Sequence, residues 1–164
     1  MSGSHDDILG EELGKLGDLG GKIGGLLSGK TGSSGGSHAV QFTAKFLPTE
    51  TASEKLVLQI GVEKALKLGY SVLLKTGELK TDDGPKAPYP MLKAVVSSGF
   101  LNMNPAVVYF EILEGSETGC EVTVTAAAKE GLIRQHTAAK ALQRVLTALK
   151  TCVGETRSPE REDR

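Results

Sequence analysis

Residues 107–128, VVYFEILEGSETGCEVTVTAAA, contain the pattern that decides the fold. In both halves of this stretch, apolar side chains such as Phe110 alternate with polar ones. A period of two is typical of a strand that buries one face. Residues 114–119 between the halves combine glycine with short polar side chains, which favour turns. The stretch therefore predicts an antiparallel hairpin that pairs Val107–Glu114 with Cys120–Ala128.

Further elements are indicated on both sides of the hairpin. Helical spacing of apolar residues predicts one helix before it and one after it, and Gly69 is a suitable end for the first. In chain order we expect a strand at Val40–Phe46, a helix from about Thr51 to Gly69, strands at Tyr70–Lys75 (extending as far as Lys80) and Met91–Leu101, the hairpin, and a helix from about Ile133 to Thr151. Four consecutive strands with short turns are most simply antiparallel. The prediction is a two-layer α+β domain with an antiparallel sheet and two helices on one face, in the order β-α-β-β-β-β-α.

This order of elements is similar to one repeat of the TATA-binding-protein fold and to the small helix-grip domains. The resemblance covers residues 39–151 and concerns element order alone. It implies a fold, and a fold does not by itself assign a function.

The composition divides the chain into three parts. Residues 1–38 hold 12 of the 21 glycines and none of the seven aromatic side chains, and residues 154–164 contain no apolar side chain. Apolar burial must offset the entropy of ordering a chain. We therefore expect a disordered glycine-rich segment at 1–38, a folded domain at 39–153 and a charged disordered tail at 154–164.

The N-terminal segment carries apolar residues at helical spacing. These residues, called the leucine stripe below, are Leu9, Leu13, Leu16, Leu19, Ile23 and Leu26. Interspersed glycines oppose a helix, each by about 0.5–1 kcal/mol relative to alanine. We expect the segment to be unordered in isolation, and the alternative is a helix that forms on a partner. Its excess of acidic residues favours a protein groove over an anionic membrane.

One face of the predicted sheet is left open by the two helices. We expect Val108, Phe110, Ile112, Val122, Val124 and Ala126 on the covered face, and Val107, Tyr109 and the threonines on the open face. The candidate partner-binding residues are Thr43, Lys45, Tyr109, Thr123 and Thr125, together with Tyr89 in the proline-rich segment Thr81–Pro90. The alternative is an ordinary solvated sheet face.

The sequence contains no convincing motif for nucleotide binding, catalysis or metal binding. Residues 24–31, GGLLSGKT, fit the phosphate-binding loop pattern, but no buried strand precedes them and the glycines that follow oppose a helix. The three histidines and two cysteines show no catalytic or zinc-binding spacing. We expect Cys120 and Cys152 to be free, buried and near each other. No cofactor, metal ion or catalytic group is expected.

Charge and hydropathy exclude further classes. The net charge of −1 gives no general attraction to nucleic acid. No apolar run is long enough to span a bilayer, and acidic residues stand where a signal peptide needs a basic start. We therefore expect a cytoplasmic protein.

Three hypotheses for the function follow. The first is a non-enzymatic protein-interaction domain with flexible tails. The alternative is a carrier of a small apolar ligand, of the helix-grip type, in which small core residues leave a cavity; the residues are Ala44, Gly61, Ala65, Ala126 and Ala138. The third is nucleic-acid binding by the open sheet face.

Overall fold

The computed structural model describes residues 7–15, 47–80, 91–98, 104–130 and 135–155. Three helices and five strands lie in these ranges. In chain order they are α1 (residues 7–15), β1 (Thr49–Leu58), α2 (Val62–Thr76), β2 (Glu78–Lys80), β3 (Leu92–Ser98), β4 (Asn104–Gly115), β5 (Cys120–Lys129) and α3 (Thr137–Glu155).

The five strands form one antiparallel sheet in the order β1-β5-β4-β3-β2. The hairpin predicted from residues 107–128 is confirmed as β4 and β5, with Phe110 opposite Val124. A register shift between Ile112 and Glu114 marks the end of the hairpin nearest its turn. The first strand returns to pair with the last, so β1 and the short β2 are the two edges.

Helices α2 and α3 cover one face of the sheet and enclose the main core. The six hairpin residues expected on the covered face are all buried there, with Phe110 as the largest fully buried side chain. Cys120 is buried in this core as expected, but the expected burial of Cys152 is wrong: Cys152 is only partly buried and packs against the core. Neither forms a disulfide. The predicted two-layer α+β class, with an antiparallel sheet and two helices on one face, is confirmed.

Two predicted elements are wrong. The helix expected from Thr51 begins only at Val62, and residues 49–58 form strand β1 instead. Every second residue of β1 faces the core, and all ten residues pair with β5. Pairing with a central strand outweighs local helical spacing, because the strand propensity of a segment depends on its cross-strand neighbours.

The second error follows from the first. Residues 70–75, predicted as a strand, belong to α2, which continues to Thr76. Gly69 therefore lies inside α2 and does not end it. The predicted strand Val40–Phe46 lies outside the described residues.

Helix α1 lies on the opposite face of the sheet, within the segment expected to be unordered. Its Leu9 is fully buried against Val95 of β3 and Val107 of β4, and this cluster is separate from the main core. Contact with the sheet supplies the apolar burial that the leucine stripe lacks on its own. Leu13 is partly buried, and the other four stripe residues lie outside the described ranges. The division of the chain at residues 38 and 153 stays a prediction.

None of the helices in the described ranges combines the length and the apolar composition that a membrane span requires. Cytoplasmic location stays a prediction.

Candidate functional site

An apolar groove opens between α2 and β3. Its lining consists of Leu66, Lys67 and Tyr70 of α2 and Leu92 of β3, and its volume is about 450 Å³. The groove is shallow and open to solvent, and its volume falls within the roughly 300–1,000 Å³ of ligand pockets in proteins. Leu66 and Leu92 also pack against the main core, so the groove is a surface extension of that core.

The outward side of α2 is unusually apolar beside this groove. Tyr70 is 53 % exposed and Leu74 is 57 % exposed. Leu66, Tyr70 and Leu74 are spaced by four, which places them along one side of the helix. Met91, next to Leu92 in the chain, is a further exposed apolar side chain. Apolar surface that is left uncovered in this way is typical of a binding site.

Behind the groove, α2 packs closely against the sheet. Gly69 lies directly over the ring of Phe110, and the small Ala65, Ala126 and Ala138 are fully buried. These small residues let the helices approach the sheet closely. The carrier hypothesis expects a cavity at these small residues, whereas the groove lies nearer the surface, at Leu66, Tyr70 and Leu92. Ala44 lies outside the described residues.

A second cavity of about 260 Å³ lies near the end of β3. Its lining is polar and carries both charges, with Glu12 and Glu78 on one side and Arg144 of α3 on the other. Arg144 donates a hydrogen bond to the Ser97 carbonyl at 3.0 Å. Since these charges already have partners within the protein, the cavity offers a ligand less than the apolar groove does.

Two carboxylates cap the N-terminal end of α3. The backbone N–H groups of Gln135 and Thr137 donate to Glu130 at 2.6 and 2.8 Å, and that of Ala138 donates to Glu50 at 3.0 Å. Burial would raise the pKa of Glu130, but the hydrogen bonds it accepts lower it, and the net pKa lies below its ordinary value. Two of the orphan N–H groups of the helix, those of Thr137 and Ala138, are satisfied in this way.

His136 is held beside this cap. Its φ of 54° is in the left-handed region, and its Nδ1 lies 3.1 Å from Glu50 Oε1. The imidazole is mostly exposed, and Glu50 is already engaged with the helix N-terminus. The arrangement positions α3. Across the described ranges no three His, Cys, Asp or Glu residues cluster as metal ligands would.

Of the residues predicted to bind a partner, the structure places Tyr109, Thr123 and Thr125 together on the outer sheet face. Tyr109 is opposite Thr125, and the Thr125 hydroxyl lies 3.0 Å from that of Ser53. Lys93 lies with its Nζ 5.5 Å from the centre of the Tyr109 ring. Thr43, Lys45 and Tyr89 lie outside the described residues. A partner-binding role for these residues stays a prediction.

Sequence reasoning misses two features of this molecule. It places Val107 on an open face, but α1 covers Val107. The sequence feature that could have indicated this contact is an apolar residue on an otherwise polar face, together with a leucine stripe in the same chain. It also misses the groove, because it assigns residues 70–75 to a strand. The spacing of Leu66, Tyr70 and Leu74 is the available signal.

Comparisons with known proteins give partial superpositions only. No family model and no curated protein sequence matches this chain. Among solved structures, a START superfamily protein from Mycobacterium smegmatis is 10 % identical, with 65 % of this chain and 98 % of that chain covered and a TM-score of 0.36. The ZhuI aromatase/cyclase from Streptomyces sp. R1128 is 10 % identical over 66 % and 93 % of the chains, with a TM-score of 0.38.

The norcoclaurine synthase from Thalictrum flavum is 9 % identical, over 68 % of this chain and 98 % of that chain, with a TM-score of 0.33. At this level of similarity, none of these proteins contributes to an argument about function.

Proposed function

We propose that this protein binds a small apolar molecule in the groove formed by Leu66, Lys67, Tyr70 and Leu92. The observation that carries this proposal is a groove of about 450 Å³ whose surface is almost entirely apolar and whose walls Leu66 and Leu92 also pack against the core. A ligand that fills it removes apolar surface from water without any rearrangement of the sheet. Each buried CH₂ group contributes about 0.8 kcal/mol.

The lining favours binding over catalysis. Lys67 and the Tyr70 phenol are the ionisable groups among the lining residues, and Lys67 is paired with Glu63 at 2.6 Å. A general acid–base reaction needs a proton donor or acceptor placed against the reacting atom. The absence of an enzymatic activity stays part of the proposal.

The size of the groove favours a small molecule over a protein. A stable protein interface buries about 800 Å² on each partner. Four lining side chains offer much less than that, whereas they suit a ligand of a few rings or a short acyl chain. Protein binding and nucleic-acid binding at the outer sheet face stay predictions from the sequence.

The test is a fluorescence titration of the full chain with N-phenyl-1-naphthylamine, a neutral apolar probe whose emission rises in an apolar site. We expect Tyr70→Ser to weaken binding about tenfold or more, because an aromatic wall of the groove is lost. Val57→Ser is the control: it removes an exposed apolar side chain of β1 that does not line the groove. Absence of probe binding, or equal weakening by both substitutions, contradicts the proposal.

A second measurement addresses the natural ligand. The protein purified from cells without detergent is examined by native mass spectrometry, and the Tyr70→Ser variant is prepared in parallel. We expect a co-purified apolar molecule with the wild type and less of it with the variant. Equal amounts on both would show that the molecule binds elsewhere.

A further inference from the structure

The outer face of the sheet carries an apolar patch that is distinct from the main core. Val95 and Val107 face each other across β3 and β4 on this face, and both are buried. Leu9 of α1 covers them, with Ile8 and Tyr109 at the margin. Without α1, the patch would be an apolar area on a face that is otherwise polar.

The surroundings of the patch match the charge of the helix. Glu12 lies three residues after Leu9, on the same side of α1, and its Oε1 accepts from Lys80 Nζ at 3.1 Å. The side chains of Glu12 and Lys80 are only 15 % and 23 % exposed, so the ion pair is screened less than a surface pair. Hydrogen bonds from Lys15 and Lys80 oppose the effect of burial and lower the pKa of Glu12.

The composition of α1 lowers the stability of the helix on which this contact depends. Gly10 follows Leu9, and a β-carbon at Gly10 would meet no atom within 4 Å. Packing therefore does not require glycine there, although glycine lowers the helix propensity relative to alanine. A single leucine is the only fully buried apolar side chain that the described part of α1 contributes. Another helix that presents a leucine in the same place could therefore displace α1 from Val95 and Val107.

We propose that the Val95–Val107 patch is a docking site for an acidic amphipathic helix of another protein, and that α1 occupies this site in cis as a competitor. The site recognises a leucine that packs between Val95 and Val107 and a carboxylate three residues later that pairs with Lys80. This proposal is independent of the ligand groove, which lies on the other face of the sheet.

The test uses a labelled peptide of residues 5–17 with Gly10→Ala, which presents the same leucine and carboxylate on a more stable helix. Its binding to the full-length protein is followed by fluorescence anisotropy. We expect Leu9→Asp in the protein to strengthen peptide binding about tenfold, because a buried leucine is lost from the cis occupant. Gly10→Ala in the protein should weaken peptide binding about fivefold, because it favours the cis helix.

Two further measurements complete the test. Lys80→Gln, combined with Leu9→Asp, should reduce peptide affinity and its dependence on salt. Glu12→Lys serves as a second release variant in case Leu9→Asp does not fold, since it places like charges together at Lys80. Equal peptide affinity for wild type, Leu9→Asp and Gly10→Ala, or no binding to either release variant, overturns the proposal.

Discussion

Gly69 of α2 lies directly over the ring of Phe110 of β4, so close that a β-carbon on residue 69 would come within 2.8 Å of the ring atoms Cδ1 and Cε1. Phe110 is fully buried at the centre of the sheet, and its ring cannot move aside without disturbing the side chains packed around it. The absence of a side chain at residue 69 therefore sets the distance between α2 and the sheet. That distance in turn determines how Leu66 and Tyr70 meet Leu92 at the groove.

We predict that Gly69→Ala destabilises the protein, although alanine is the better helix former. Overpacking a core costs about 1–3 kcal/mol, and the gain in helix propensity is about 1 kcal/mol. The expected net loss in the free energy of unfolding is up to about 2 kcal/mol, measured by urea denaturation. The substitution should also alter probe binding in the groove, because α2 must shift.

Gly119→Ala is the control for this prediction. The β-carbon would lie 3.5 Å from the Leu58 carbonyl oxygen, an ordinary contact. We expect a change smaller than that of Gly69→Ala. If Gly69→Ala proves as stable as wild type, the close approach of α2 to Phe110 is wrong.

Gly69 and Phe110 show which features of the fold the sequence predicts and which it does not. The hairpin around Phe110 is evident from period-two alternation, and that pattern alone identifies its buried face. The local pattern predicts that the helix ends at Gly69, because nothing nearby in the sequence explains a glycine inside a helix. Its reason is the Phe110 ring, 41 positions later in the chain, and only the tertiary structure brings the two together.

The strand β1 illustrates the same limit. Leu56 and Leu58 fit a helix stripe when taken with the residues that follow them, and they fit a strand when taken with Ala52 and Glu54. Pairing with β5 decides between the two. This error also hides the groove from the sequence, since three of its four lining residues lie on the helix that follows β1.

The cap at α3 leads to the next prediction. Glu130→Ala removes both hydrogen bonds to the N–H groups of Gln135 and Thr137. Thr137 is buried, so its N–H loses its partner without full access to water. We expect a loss of about 2 kcal/mol in the free energy of unfolding. Glu111→Ala, at an exposed carboxylate on β4, should change it by less than about 0.5 kcal/mol.

Acid should remove the same contribution in the wild type. The pKa of Glu130 is lowered in the folded protein, so its ionised form stabilises the fold at pH values above its ordinary pKa of about 4.5. This contribution is lost as the pH falls through the lower, folded pKa. We expect the free energy of unfolding of Glu130→Gln to fall less between pH 6 and pH 3 than that of the wild type. Parallel pH profiles for the two proteins would contradict the role assigned to this carboxylate.

Acid should also release α1. The pKa of Glu12 is lowered as well, so its pairing with Lys80 is fully present above its ordinary pKa of about 4.5 and is lost as the pH falls through the lower, folded pKa. We expect the amide of Leu9 to exchange faster with solvent at low pH, relative to its intrinsic rate, well before the core amides of β4 and β5 do. Glu12→Gln should show fast exchange already at neutral pH. If Leu9 and the core amides lose protection together, α1 is part of the same cooperative unit as the sheet.

The two thiols provide a measure of how tightly α3 closes on the sheet. Cys120 is buried at the start of β5, and burial raises the pKa of its thiol. Cys152, near the end of α3, is only partly buried. Since the thiolate is the reactive form, Cys120 combines poor access with a small reactive fraction. We predict that a neutral thiol reagent labels Cys152 at least about tenfold faster than Cys120 under native conditions.

Single variants Cys120→Ala and Cys152→Ala assign each rate, and both rates should rise to the same value in denaturant. Faster labelling of Cys120 in the native protein would mean that the end of α3 separates from β5 and exposes the core.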